Sequence, residues 1–146
     1  MLEGRRLLAG LAFAGLGAAC QPGDGAADRL DGTWQLRSGA GPRGEVVMND
    51  TVDVLLTIDG TDWTGSVCNR YVARDVEVDG TALAIGDVAR TEMACLDRDV
   101  MDAEDAYLAA FAEVTGFRVD EETLTLRNDE VELVYRRAEA REAADG

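Results

Sequence analysis

From Leu30 onward the chain is written in short alternating segments separated by turn residues, and this punctuation rules out most folds. Thr33 to Arg37 alternates polar and apolar. Val52 to Asp59 reads as a strand closed by Asp59-Gly60, with Trp63 to Val67 returning beyond that turn. Tyr71 to Val78 runs into Asp79-Gly80, a pair suited to the left-handed backbone of a tight hairpin turn, and Thr81 to Val88 is the return strand. Gly116 to Val119, Thr123 to Arg127 and Val131 to Arg136 add three more, separated by Asp120-Glu121-Glu122 and Asn128-Asp129-Glu130.

One segment keeps a different period. Met101, Tyr107, Leu108, Phe111 and Val114 share a face at helical spacing between Asp99 and Thr115. Asp99 or Asp102 is placed to cap the start and Gly116 to stop the end. The expected fold is therefore mostly β (α+β). It is a single small curled antiparallel sheet, a barrel-like meander of about seven or eight strands, with one helix packed against it. Residues 39–51, carrying Gly39, Gly41, Pro42 and Gly44, read as the longest strandless connection, a surface loop or a rim. Trp34 reads as a core anchor.

The first nineteen residues do not belong to that pattern. Arg5 and Arg6 precede a short apolar run from Leu7 to Gly15, and Leu16-Gly17-Ala18-Ala19 leads small residues into Cys20. These are signal-peptide proportions, too short to span a bilayer. A cysteine directly after the small residues, followed by Gln21-Pro22-Gly23-Asp24-Gly25, resembles a bacterial lipobox, although Leu16 stands four residues before the cysteine rather than three. That resemblance makes Cys20 the acylated mature N-terminus. Residues 1–19 are then a lipoprotein signal peptide, 20–29 the lipidated cysteine and a flexible tether, 30–137 the folded domain and 138–146 a frayed tail. The expected location is the cell envelope, membrane-anchored through acyl chains, facing periplasm or exterior.

Charge limits the partners. The chain has 29 acidic and 14 basic residues, a formal net charge of −15. Losing Glu3, Arg5 and Arg6 with the leader makes it one unit more negative. Such a surface repels nucleic acid and anionic head groups, so attachment falls to the acyl chains. Every basic residue is Arg. The expected state is a monomer.

Cys68 and Cys95 remain once Cys20 is assigned. An even pair in an oxidising compartment reads most simply as a disulfide, with two buried free thiols as the alternative. Two thiols in a chain without histidine make an incomplete zinc site.

Four landmarks resemble the META domain family, small envelope lipoproteins of the HslJ type. They are Leu30-Asp31-Gly32-Thr33-Trp34; Cys68-Asn69-Arg70-Tyr71, with Val67 where the family has glycine; Thr91-Glu92-Met93-Ala94-Cys95; and Glu104 with Tyr107-Leu108, Phe111 and Val114, before strands ending Leu133-Val134-Tyr135. The resemblance implies a compact β-rich fold with one helix, an envelope location and links to stress or antibiotic tolerance, with no established catalysis. Asn69 is suited to holding a turn, and Met93 reads as a gap filler.

Catalytic chemistry is sparse in these residues. Without histidine, and with Ser38 and Ser66 as the only serines, neither a Ser-His-Asp nor a Cys-His arrangement is available. Asp97, Asp99, Asp102 and Glu104 begin like a calcium loop, but Asp102 stands where glycine is required and Leu108 where the closing glutamate belongs. The acids read instead as helix-start residues. The expectation is a protein that is not an enzyme and carries no cofactor or metal. It is a binding or interaction module for an envelope protein or other envelope component. The alternative is a carrier holding a small apolar ligand in a cavity of the curled sheet.

Overall fold

A computed structural model describes residues 27–93 and 95–138. Cys20, the leader, most of the tether and the tail from 139 lie outside the described residues.

The strands are β1 (Gly32–Gly41), β2 (Gly44–Glu45), β3 (Leu55–Asp59), β4 (Asp62–Ser66), β5 (Arg70–Arg74), β6 (Glu77–Asp79), β7 (Ala82–Ala84), β8 (Asp87–Arg90), β9 (Gly116–Val119), β10 (Thr123–Arg127) and β11 (Glu132–Arg137). A helix, α1, spans Arg98–Phe111 between β8 and β9. All pairings are antiparallel in one sheet of order β6-β7-β9-β10-β11-β1-β3-β4-β5-β8, with β2 folded back on β1. The sheet curls into a half-barrel around the helix.

Eleven strands replace the expected seven or eight, for two physical reasons. The long hairpin after β4 is broken in both arms. Tyr71 and Ala73 are buried, then Arg74 and Asp75 are both exposed, and burial resumes at Val76, so the alternation slips by one residue. Asp75 takes up the slip with a φ of 54°, and Gly86 N–H bonds back to Arg74 O at 3.0 Å in the opposite arm. The inner halves, β5 and β8, pair at one end of the sheet. The outer halves, β6 and β7, pair with each other, and β7 joins β9 at the other end. Two bent arms thus link the two ends of the sheet and hold the curl. The second reason is β1, which runs on through Gly39 to Gly41 and turns into β2, so residues 39–51 are not strandless. Both Asp-Gly turns form as read, with φ of 64° at Gly60 and at Gly80.

The landmark at the domain's start becomes a lock. Leu30 is buried, Trp34 Nε1 donates to Leu30 O at 2.8 Å, and the Arg137 guanidinium lies 4.2 Å from the centre of the Trp34 ring. Arg137 also donates to Arg29 O and Asp31 O, tying the entry of the chain to its last strand. Trp63 is equally buried but its Nε1–H has no partner among the described residues, a cost of about 1–3 kcal/mol that burial of the ring must offset.

The helix differs in detail from the reading of the sequence. Its N-cap is Asp97, whose carboxylate accepts from Asp99 N at 2.8 Å, rather than Asp99 or Asp102. It ends at Phe111 with Ala112 as the cap, well before Gly116, which opens β9. Asn128 Nδ2 takes the Glu113 carbonyl at 2.7 Å, and Thr115 N already bonds to Arg127 O of β10. Met101 is exposed at the open end of the helix, while Ala103, Glu104, Tyr107, Leu108, Ala110 and Phe111 face inward.

Candidate functional site

The buried side of α1 carries one residue that its neighbours would not suggest. Glu104 shares the face of Tyr107, Leu108 and Phe111 and is 3 % exposed. A buried carboxylate is costly unless it is hydrogen-bonded on all sides. Here it accepts from Cys68 N at 3.1 Å, Asn69 N at 2.7 Å, Asn69 Nδ2 at 2.8 Å and Arg90 Nη1 at 3.0 Å. Asn69, also buried, turns its carbonyl oxygen to Thr91 Oγ1 and Met93 N. Arg90 reaches both Glu104 and Asp105, and its hydrogen bond to Asp105 at 2.9 Å holds the guanidinium charged more firmly than usual. Three of the four landmark stretches therefore meet here: the fourth supplies Glu104, the second bonds to it directly, and the third joins through Asn69. Beside this hub Cys68 and Cys95 are joined by a disulfide, their α-carbons 6.2 Å apart. Met93 is not a gap filler: it is 61 % exposed, because its backbone rather than its side chain makes the contact.

The second buried group is a chain of hydroxyls containing every tyrosine of the protein. Tyr71 Oη donates to Leu55 O at 2.8 Å and lies 2.7 Å from Tyr107 Oη, which lies 2.8 Å from Tyr135 Oη. A carbonyl only accepts, so Tyr71 spends its one proton on Leu55. Tyr107 must then donate to Tyr71 and Tyr135 to Tyr107, a direction fixed from one end. Burial pushes all three hydroxyls well above their ordinary pKa; the charge of a neighbouring tyrosine adds to each shift, while a hydrogen bond within the chain opposes it at Tyr107 and at Tyr135. The Tyr71 ring meets Phe111 edge to face at 5.4 Å and the Tyr107 ring stacks on it at 5.6 Å.

Both groups are committed to partners inside the fold. The carboxylate is saturated by four donors and the phenols are held protonated. Of the acids weighed as calcium ligands, Asp97 caps the helix and Glu104 faces the core, so they diverge, and no group of three or more His, Cys, Asp or Glu side chains converges among the described residues. The interior of the curl is occupied by Trp34, Trp63, Tyr107, Tyr135 and Phe111, each fully buried.

Open space lies on the outside. The outward residues of β3, β4, β5 and β8 surround a depression of about 530 Å³ lined by Leu55, Thr57, Thr64, Ser66, Val72 and Ala89, with Arg70, Arg74, Arg90 and Thr91 around them. Gly65 and Tyr71 complete it. The register sets Thr57, Thr64, Val72 and Ala89 side by side across four strands. Reading the sequence did not find this surface, because cross-strand neighbours are far apart in the chain. Glu104 was more accessible: a carboxylate at the i, i+3, i+4, i+7 spacing of an apolar face is a signal for a buried polar hub.

The META domain model matches residues 27–140. Comparison with curated proteins gives no significant match. Among solved structures, a Burkholderia xenovorans protein determined by NMR superposes with a TM-score of 0.61 at 24 % identity, covering 86 % of this chain and 95 % of that one. A DUF4847-family protein from Bacteroides vulgatus superposes at 0.51 with 14 % identity, covering 74 % and 93 %. At these identities the structural likeness speaks for the fold alone. The family match spans most of the chain and includes all four landmarks, and the chain belongs to the META domain family.

Proposed function

We propose that this META-domain protein is a non-catalytic binding module of the bacterial cell envelope, connected with envelope stress or antibiotic tolerance. In this reading it is a monomer held at a membrane by acyl chains on Cys20, and two or more chains suffice for stable anchoring. The observation that carries the reading is the contrast between inside and outside. The buried polar groups are committed to one another, and the open, accessible depression sits on the outer sheet face. A carrier with its ligand inside the curl would need room that the packed aromatic rings occupy.

Two measurements test it. Cys20→Ser should release the protein from membranes or leave it unprocessed, and mass spectrometry that finds cleavage elsewhere with Cys20 unmodified defeats the anchor. Turnover of any substrate abolished by a single Asp or Glu substitution defeats the non-catalytic assignment.

A further inference from the structure

We propose that the depression on the outer face of β3, β4, β5 and β8 binds a small amphipathic molecule through one anionic oxyacid group, a phosphate or a carboxylate, held between Arg70 and Arg74. The proposal rests on the binding-module reading and names the ligand class for it.

Charge is the first argument. Acidic residues outnumber basic ones 29 to 14 in this chain, yet the depression is lined by three arginines and no acid. The neighbouring outward positions make the contrast sharper. Asp59 pairs with Asp62 and Arg74 with Asp87 across the adjacent ladder positions, but none of these aspartates lines the depression. Of the three arginines, Arg90 has its charge taken by Glu104 and Asp105. Arg70 makes no ion pair among the described residues. Arg74 meets Asp87 at only 3.9 Å with both side chains about 60 % exposed, a pairing of little energetic weight that a ligand displaces readily.

Geometry is the second. Arg70, Val72 and Arg74 alternate along β5, so the two guanidinium groups stand on the same side with Val72 between them. Planar guanidinium forks match the paired oxygens of carboxylate and phosphate. Leu55, Val72 and Ala89 offer an apolar floor, and Thr57, Thr64 and Ser66 offer hydroxyls along it. The volume falls within the range of about 300–1,000 Å³ typical of small-molecule sites. A charged head and a short, partly apolar body suit this lining.

The test is titration of the full chain, followed by calorimetry and amide NMR, with hexyl phosphate, hexanoate and uncharged hexyl glucoside. Both anions should bind and shift the amides of Val72 and Ala89, and hexyl glucoside should bind at least tenfold more weakly. Arg70→Ala combined with Arg74→Ala should weaken the anions tenfold or more with an unchanged near-UV spectrum. Arg118→Ala combined with Arg136→Ala, which removes the same charge elsewhere, should leave affinity within twofold. Dihexanoyl phosphatidylglycerol and phosphatidylglycerol vesicles separate the sources. Binding of these lipids in preference to hexyl phosphate assigns the group to a lipid head, and the reverse assigns it to a free solute. No binding of any anionic probe, equal affinity for the glucoside, or equal loss in the two double variants overturns the proposal. Failure of the anions alongside binding of an uncharged envelope component leaves the binding-module reading standing. Hydrolysis of a probe defeats that reading instead.

Discussion

Gly65 stands opposite Tyr71 across the β4–β5 ladder, and the missing side chain of the first is what lets the hydroxyl of the second reach Leu55 O. A β-carbon at position 65 would overlap both that carbonyl and the phenol. Backbone and a fully packed ring leave no direction in which to yield. Gly65→Ala should therefore cost about 1–3 kcal/mol or more, as overpacked cores do, and lower the denaturation midpoint. A midpoint equal to the parent's would show that Tyr71 does not lie over that glycine.

The direction of the hydroxyl chain makes its members unequal. Tyr135→Phe removes a donor at the free end, an ordinary loss of about 0.5–1.5 kcal/mol. Tyr71→Phe removes the acceptor for Tyr107 and leaves a buried O–H without a partner, which costs about 1–3 kcal/mol. Chemical denaturation of the two variants should rank Tyr71→Phe as the more damaging. The opposite order means that the protons run the other way.

Alkaline titration reads the same three groups cleanly, because the chain has neither Lys nor His and its arginines stay charged. Each phenol has a folded pKa above its unfolded value of about 10, so the folded state retains protons that the unfolded state has lost. The stabilisation from keeping the phenols neutral is fully present below about pH 10 and falls as pH rises toward the folded pKa values. The slope is up to about 1.4 kcal/mol per tyrosine per pH unit. Tyrosinate absorbance should appear together with loss of near-UV circular dichroism. Phenolate forming in one or more independent steps while the fold persists would contradict burial of the chain.

Glu104→Ala should cost about 3–5 kcal/mol, since it strands two backbone N–H groups, the Asn69 amide and part of the Arg90 charge. Glu104→Gln keeps the shape but turns an NH₂ toward donors, so it should fall between Ala and the parent. If Glu104→Ala unfolds at the parent's denaturant concentration, the hub does not hold the fold.

Reduction should weaken the same corner. The Cys68–Cys95 bond spans 27 residues in sequence, for which the chain-entropy relation gives about 3.5 kcal/mol. Its α-carbon separation lies within the usual range of about 4.4–6.8 Å. Cys68→Ser combined with Cys95→Ser should match the reduced protein in stability. Two reactive thiols in the denatured protein, prepared without reductant, would exclude the bond.

Local pattern carried much of this architecture. Alternation at Leu56 and Ile58, at Leu124 and Leu126 and at Leu133 and Tyr135 sets which face of each strand is buried, and the Asp-Gly pairs place two hairpin turns, because both are decided by neighbours in the chain. Even the broken hairpin left a trace: Tyr71 and Ala73 share one parity, Val76 and Val78 the other, and read strictly that slip marks the bend at Asp75. What remained hidden depends on distant residues meeting. Glu104 becomes a hub only because Asn69, from the turn between β4 and β5, and Arg90, from the end of β8, both meet α1, and the three tyrosines touch only when β5, α1 and β11 share one core. The depression needs four strands in register before Arg70 and Arg74 can flank one surface. Periodicity encodes which side a residue faces, but only sheet order and register decide what it faces.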